Sequence, residues 1–259
     1  MTATPAELPA RAVLQATGLT CTIGGAAIVS DVDLGVQDGE LLGVIGPNGA
    51  GKTSLLNLLS GLLPATSGAV QLDGQNISGW SPHRRARAGL GRTFQTSSVF
   101  GELSVAENVS IAAQAFLGGN LRLWQPATRI RGRSERAGAA LELVGLAGRA
   151  GIAAGSLSHG DKRKLELAIL LAGEPKVMML DEPMAGVSAE DVPELTELIG
   201  RVRRERGATV IMVEHHMDVI LQLADRLAVM HHGSLLLCDT PQVVMADATV
   251  QEAYLGGAL

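Results

Sequence analysis

The sequence predicts an α/β fold, a parallel sheet covered by helices, on three observations. Short apolar runs alternate with helical stretches: LLGVI at 41–45, VMML at 177–180, TVIMV at 209–213 and RLAVM at 226–230. A glycine-rich turn follows the first run and leads directly into a helix read from about Gly51 to Leu63. Between about Leu103 and Ala172 the β-rich runs vanish and Ala, Leu and Arg dominate, so a helical subdomain is expected between two strands of the sheet.

Further along, Val192, Leu195, Leu198, Ile199 and Val202 recur at helical spacing. Pro193 stands near the start of this helix, and Arg203, Arg204 and Arg206 load its end before Gly207. After Met230, HHGSLLLCDTPQVVMAD reads as a glycine-centred hairpin followed by a proline-initiated helix. The expected division of the single domain 1–259 is a nucleotide-binding core at about 12–102 and 173–238, a helical part at about 103–172, and a C-terminal helix and tail at 239–259.

Composition narrows the function. The chain has 259 residues, enough to bury a sizeable core without staples, and 46% hydrophobic against 18% charged residues is ordinary globular usage. A net charge of −5 and 2% aromatic residues argue against a nucleic-acid partner, which usually meets a basic stripe and stacking rings. Cys21 and Cys238 stand alone, without disulfide or zinc spacing, which fits a reducing setting. The opening MTATPAELPARAV lacks the apolar stretch of a secretory signal, and the charge-free segment Thr53 to Leu72 is too interrupted to span a bilayer. Two arginine groups, Arg84, Arg85, Arg87, Arg92 and Arg129, Arg131, Arg133, Arg136, are read as solvated helix faces.

The most specific string is GPNGAGKT, followed by Ser54: Gly46, Pro47, Asn48, Gly49, Ala50, Gly51, Lys52 and Thr53 lie between a strand and a helix. Glycines let the backbone wrap round phosphate oxygens, amides at a helix start face the negative charge, Lys52 reaches the terminal phosphates, and the Thr53 hydroxyl holds Mg²⁺. In VMMLDEP, Asp181 and Glu182 stand at the carboxyl end of a parallel strand, where a sheet opens into a crevice. Asp181 there joins the metal shell and Glu182 polarises a water against the γ-phosphate. A kinase or a switch GTPase shares both elements, so they identify a triphosphate site and not its class.

The string SLSHGDKRKLELAILLAG, 156–173, narrows the class. Ser158 is a good N-cap, Gly160 permits close approach, and Leu165, Ala168, Ile169 and Ala172 form one stripe. Here the sequence resembles the ATP-binding cassette family, whose LSGGQ signature lies just upstream of the carboxylate strand; LSHGD has His159 and Asp161 in place of Gly and Gln. The resemblance spans about Leu14 to Leu255. It implies a phosphate-loop core with a parallel sheet, an N-terminal antiparallel β subdomain and an inserted helical subdomain. Gln95 in GRTFQ matches the loop glutamine that touches Mg²⁺ and water, and His215 in VEHHMD matches the switch histidine that contacts the γ-phosphate. Ser158 and Gly160 match contacts to the ATP of a second subunit, and Ile23 falls where the family usually stacks an aromatic ring on adenine. Asp161 would repel phosphate unless it points away or pairs with Lys164, and Ser188 replaces a frequent aspartate.

GRTFQ, LSHG with RKLE, EPMAGV, VEHHMD and the closing EAYLG resemble the ATP-binding subunits of bacterial importers for branched-chain amino acids, urea and amides. That resemblance implies ATP and Mg²⁺ as cofactors, a second ATP-binding subunit, integral membrane permease subunits, and indirectly a substrate-binding protein. It implies a cytoplasmic chain held on the inner face of the membrane. Thr96, Ser97, Ser98, Val99, Phe100 and Glu102 are the expected permease contacts. The rival classes are the ATPase of a lipid or lipopolysaccharide exporter, and a binding module in which Asp161 and Ser188 have impaired turnover. A soluble mechanoenzyme would need a second cassette or a coiled-coil insert.

Overall fold

The computed structural model describes residues 12–93, 99–117 and 127–255. The chain opens with a hairpin of β1 (Ala12–Ile23) and β2 (Ala26–Gln37), turned at Gly24 and Gly25, both with positive φ. It then enters the sheet through β3 (Leu41–Ile45) and leaves through α1 (Lys52–Ser60). Strands β4 (Ser67–Leu72) and β5 (Gln75–Asn76) return to the hairpin and complete an antiparallel sheet in the order β2-β1-β4-β5. After α2 (Pro82–Arg87) and β6 (Leu90–Arg92) come the helices α3 (Val105–Leu117), α4 (Ala127–Leu143) and α5 (His159–Leu171), all inserted before β7 (Val177–Asp181). The second half runs α6 (Val192–Arg206), β8 (Thr209–Val213), α7 (Met217–Leu223), β9 (Arg226–His231), β10 (Ser234–Asp239), α8 (Pro241–Ala246) and α9 (Ala248–Leu255).

The main sheet has the order β10-β9-β3-β8-β7-β6, parallel except for β10 at its edge. Every residue of β3, β7 and β8 is buried, which is why these strands read as unbroken apolar runs: a sheet covered on both faces leaves no position for a polar alternate. Successive side chains divide between two cores. Leu42, Val44, Met179, Ile211 and Val213 meet Leu55, Leu56, Leu58 and Leu59 of α1 and the antiparallel sheet. Leu41, Ile45, Met178, Leu180, Val210 and Met212 meet the inserted helices and α6. Burying each such Leu contributes about 1.5–3 kcal/mol.

The helices follow their sequence signals. On α6, Leu195, Leu198, Ile199 and Val202 are buried and Gly207 ends the helix in a left-handed conformation. A capping box starts α3: the Ser104 N–H donates to Oε2 of Glu107 at 2.8 Å, and the Glu107 N–H donates to Oγ of Ser104 at 3.2 Å. The Ser104 hydroxyl, which donates to the same Oε2 at 2.7 Å, and then the Ser104 N–H hold the Glu107 carboxyl below its usual range. On α5, Leu165, Ala168 and Ala172 are buried, while Ile169 is half-buried.

Two expectations need correction. Helix α1 stops at Ser60 and not at Leu63, because Gly61 adopts a left-handed conformation and any Cβ there would lie 2.8 Å from Nε of Arg85. Arg85, expected in solvent, is 3% exposed. Its Nη1 donates to the Leu58 and Leu59 carbonyls, both at 2.7 Å, its Nη2 to the Ser78 carbonyl at 2.7 Å, and its Nε to the Trp80 carbonyl at 3.3 Å. The guanidinium therefore caps the carboxyl end of α1, where carbonyls lack helical partners. Burial lowers its pKa. Neighbouring Arg84 lies over the Trp80 ring at 3.8 Å. Arg133 donates to Gln114 at 2.7 Å and Arg136 pairs with Glu174 at 3.0 Å, while the side chains of Arg129 and Arg131 lie outside the described residues.

Among the described residues no helix is long and apolar enough to cross a membrane. A cavity of 980 Å³, lined in part by Asp38, Asp73, Glu174, Lys176 and Arg206, lies at the amino ends of β7 and β8, opposite the phosphate loop. Arg85→Ala removes four bonds to carbonyls, two of them buried, and is expected to destabilise the fold by about 3 kcal/mol, measured by urea unfolding at unchanged slope.

Candidate active site

Gly46 to Thr53 turns out of β3 into α1 with its glycines in backbone conformations that a residue with a Cβ rarely adopts. Gly46 has φ +149°, and a Cβ there would lie 2.1 Å from the Met230 carbonyl oxygen. Gly51 has φ +97° and its Cβ would lie 2.8 Å from the Ile28 carbonyl oxygen. The loop is thus pressed against β9 on one side and the first hairpin on the other, with room for hydrogen only. Lys52 is buried, and its Nζ donates to the carbonyls of Gly46 at 2.7 Å and Pro47 at 2.9 Å. Burial pulls its pKa down, opposed by Glu182 and Asp181. The ammonium is therefore held inside the loop curve, at the start of α1, where an anion is favoured. Ala50 is buried, and Pro47, Asn48, Gly49 and Ser54 complete the loop and the first turn of α1.

Strand register brings the second cluster level with the loop. Val44 pairs with Val213, and Val213 pairs with Asp181, so β3, β8 and β7 end side by side. Asp181 is 1% exposed; burial raises its pKa, and a hydrogen bond and ion pair from Arg92 oppose the rise. The Thr53 hydroxyl lies 3.5 Å from Oδ1 of Asp181. Oxygen donors from one hydroxyl and one carboxylate, beside a phosphate cradle, suit a hard cation such as Mg²⁺ that keeps most of its water. Among the described residues no group of three His, Cys, Asp or Glu is placed to hold a metal ion.

Glu182 follows with φ +49°, its N–H donating to the Val213 carbonyl at 2.9 Å. Its Oε1 lies 3.1 Å from Nε2 of His215, so the structure brings these two expected catalytic residues into contact. His216 points elsewhere, with Nδ1 3.3 Å from Oε1 of Glu214. His231 and His232 contact each other edge to face. Gln95 lies outside the described residues, together with Thr96, Ser97 and Ser98. Of the other expected permease contacts, Phe100 is 57% exposed, Glu102 is exposed and Val99 is partly buried.

The signature helix begins as expected: Ser158 is exposed and caps α5, accepting from the Asp161 N–H at 3.1 Å. Gly160 is buried, and a Cβ there would meet Oδ2 of Asp191 at 3.0 Å, so only its backbone can serve an outside ligand. Asp161 pairs with Arg149 and, at 3.7 Å, with Lys164 as expected, and the Lys164 ammonium also pairs with Glu194 at 2.7 Å. Asp161 also accepts the Ser158 hydroxyl at 3.0 Å. Its charge is thus compensated within the chain. Ser188 donates to Asp191 at 2.7 Å, fixing the loop before α6. Ile23 is 53% exposed at the tip of the first hairpin.

Two residues of this site have no role in the motif pattern. Arg92, expected in solvent, is buried with its Nη2 2.9 Å from Oδ2 of Asp181 and its Nη1 donating to Asn57 at 2.7 Å and Ser60 at 3.0 Å. It fixes one oxygen of Asp181 and leaves the other toward Thr53. Glu214, 3% exposed, accepts the N–H groups of His215 at 2.9 Å and Met184 at 3.2 Å. A carboxylate directly after TVIMV was the available signal for Glu214, the same signal that marks Asp181 after VMML.

The chain is similar to known proteins along most of its length. The chain is 37% identical over 253 residues to the high-affinity branched-chain amino acid transport ATP-binding protein BraF of Pseudomonas aeruginosa, covering 96% of this chain and 99% of that one. It is 37% identical over 252 residues to LivG of Escherichia coli, a protein of the same description, covering 95% and 98%. The crystal structure of an ATP-binding cassette of an ABC transporter in its ADP conformation superimposes with a TM-score of 0.83 at 28% identity, covering 95% and 99%. The family pattern described as ABC transporter matches residues 29–185. With its phosphate loop, its carboxylate strand and this match across more than half its length, the chain belongs to the ABC transporter family.

Proposed function

We propose that this chain is an ATP-binding and hydrolysing subunit that powers an importer, with branched-chain or other hydrophobic amino acids, urea or amides as its cargo class. The observation that carries the catalytic part is the Glu182–His215 contact of 3.1 Å at strand ends level with Lys52 and Asp181. Glu182 polarises the attacking water, His215 orients it and contacts the γ-phosphate, and Lys52 neutralises the terminal phosphates. Thr53, Asp181 and Gln95 would hold Mg²⁺, which would supply positive charge to the terminal phosphates. Exposed Ile23 packs on the base without π-stacking, giving modest affinity and weak base selection.

Two copies meet head to tail, so that Ser158 and the Gly160 backbone of one complete the phosphate clamp of the other. Closure is driven by charge-assisted contacts that exist only with ATP, and hydrolysis releases them. The local pairing of Asp161 with Arg149 removes the repulsion that would favour a binding-only module. The cargo class rests on the sequence resemblance and on the two 37% identical relatives, which favour it over lipid or lipopolysaccharide export. Exposed Phe100 and Glu102, with Val99, offer the contact for permease helices, which keep the chain on the inner face of the membrane, and Thr96, Ser97 and Ser98, outside the described residues, precede them in sequence. A substrate-binding protein delivers the solute.

Glu182→Gln is expected to keep ATP affinity, slow hydrolysis by about 10²- to 10⁴-fold and trap the dimer, read by steady-state turnover and gel filtration with ATP. Wild-type turnover would remove Glu182 from its role. Lys52→Ala is expected to lose nucleotide binding in a fluorescent-ATP titration; retained affinity would contradict the cradle. For the cargo, the purified membrane assembly is tested for solutes that stimulate its ATP turnover. Stimulation by leucine, isoleucine, valine, urea or short amides supports the proposal, and stimulation by lipid alone overturns it.

A further inference from the structure

Glu182 sits in a backbone conformation that a residue with a Cβ rarely adopts, with φ +49°. Three hydrogen bonds surround this turn. The Glu182 N–H donates to the Val213 carbonyl at 2.9 Å, the Ala185 N–H donates to the Glu182 carbonyl at 3.0 Å, and the Met184 N–H donates to Oε1 of Glu214 at 3.2 Å. The first two are backbone bonds that any sequence can make. The third depends on one side chain from the neighbouring strand end.

That side chain joins both loops of the catalytic pair. Oε2 of Glu214 accepts the His215 N–H at 2.9 Å, while Oε1 holds Met184, two residues beyond Glu182. The carboxylate is 3% exposed, and among the described residues its one ionic partner is His216, at 3.3 Å. A buried carboxylate with so little cationic support is a costly choice for a merely structural bridge, which a neutral acceptor would serve. What a carboxylate offers is two acceptor oxygens and no donor, so that it takes one amide from each loop and opposes neither.

We infer that Glu214 is a positioning residue: by tying the amides of Met184 and His215 to one carboxylate, it holds the strained turn at Glu182 and sets the Glu182–His215 spacing required for water activation. Its two oxygens are engaged within the chain, by the Met184 and His215 amides and by His216. The inference rests on the proposed role of Glu182 and adds a residue to that site. A group that holds another in a reactive geometry acts on the chemical step and not on ground-state binding. A general structural support would lower stability, nucleotide affinity and turnover together.

The test compares wild type, Glu214→Ala, Glu214→Gln, Glu182→Gln and the double variant Glu182→Gln/Glu214→Ala in the full chain. It measures kcat, KM, fluorescent-ATP affinity and melting temperature. Glu214→Ala is expected to lower kcat by about tenfold or more, with KM and ATP affinity within about threefold of wild type. Glu214→Gln, isosteric and able to accept one amide while its NH₂ faces the other, is expected to recover part of kcat and keeps the test open if the alanine variant fails to fold. The double variant is expected to be no slower than Glu182→Gln alone, because Glu214 acts through Glu182.

Wild-type kcat in both Glu214 variants overturns the inference. So does a fall in kcat matched by equal losses of ATP affinity, or a double variant slower by the product of the two single effects. Wild-type kcat in Glu182→Gln would instead defeat the assignment of Glu182, whatever the Glu214 variants do. Slow Glu182→Gln with unimpaired Glu214→Ala defeats the positioning role alone.

Discussion

Everything at this site depends on the register of one parallel sheet. Neighbouring parallel strands lie about 4.8 Å apart, so three adjacent strands that end level deliver three loops into a space about the width of a triphosphate. Here Val44, Val213 and Asp181 are aligned across β3, β8 and β7, and Arg92 pairs with Met179 on the next strand. The phosphate loop, the histidine loop and the carboxylate loop therefore converge with no long side chain needed to bridge them. Slipping one strand by a residue would exchange its two core faces and withdraw its loop at the same time, so core packing and site geometry enforce the same alignment.

The charges are arranged to wait for a ligand. Lys52 hydrogen-bonds to carbonyls of its own loop, and Asp181 shares its two oxygens between Arg92 and the Thr53 hydroxyl. Burial disfavours the charged form of both groups. An incoming polyanion beside Lys52 favours the ammonium and offsets part of that desolvation, so binding energy comes from charges the empty protein already holds in place. The loop glycines serve the same end. Packed against the Met230 and Ile28 carbonyls, the loop is shaped before the ligand arrives.

Much of this was legible locally. GPNGAGKT, VMMLDEP and the helix cap at Ser158 carry their chemistry within a few residues of sequence, and the folded site has each where its spacing suggested. The strand order β3-β8-β7-β6 was not legible, because it pairs segments that no local pattern joins, such as Leu41 with Val210 and Leu90 with Val177. The hairpin strands β1 and β2 were expected from the family resemblance and not from a period of two, which register irregularities interrupt. Arg85 and Arg92 stand in an arginine-rich stretch and look like solvated charges until α1 and β7 fold against them and supply carbonyls and a carboxylate. Their partners lie at 58–59 and 181, beyond any local pattern.

The division of β3, β7 and β8 between two cores reaches beyond static packing. A strand whose alternate side chains are committed to opposite layers cannot peel away with either layer alone, since each exit exposes apolar surface on the other side. The central amides are therefore shielded from solvent hydrogen by the cohesion of the whole domain, and the rocking expected of a transport motor must be taken up at the rim while its catalytic floor stays rigid.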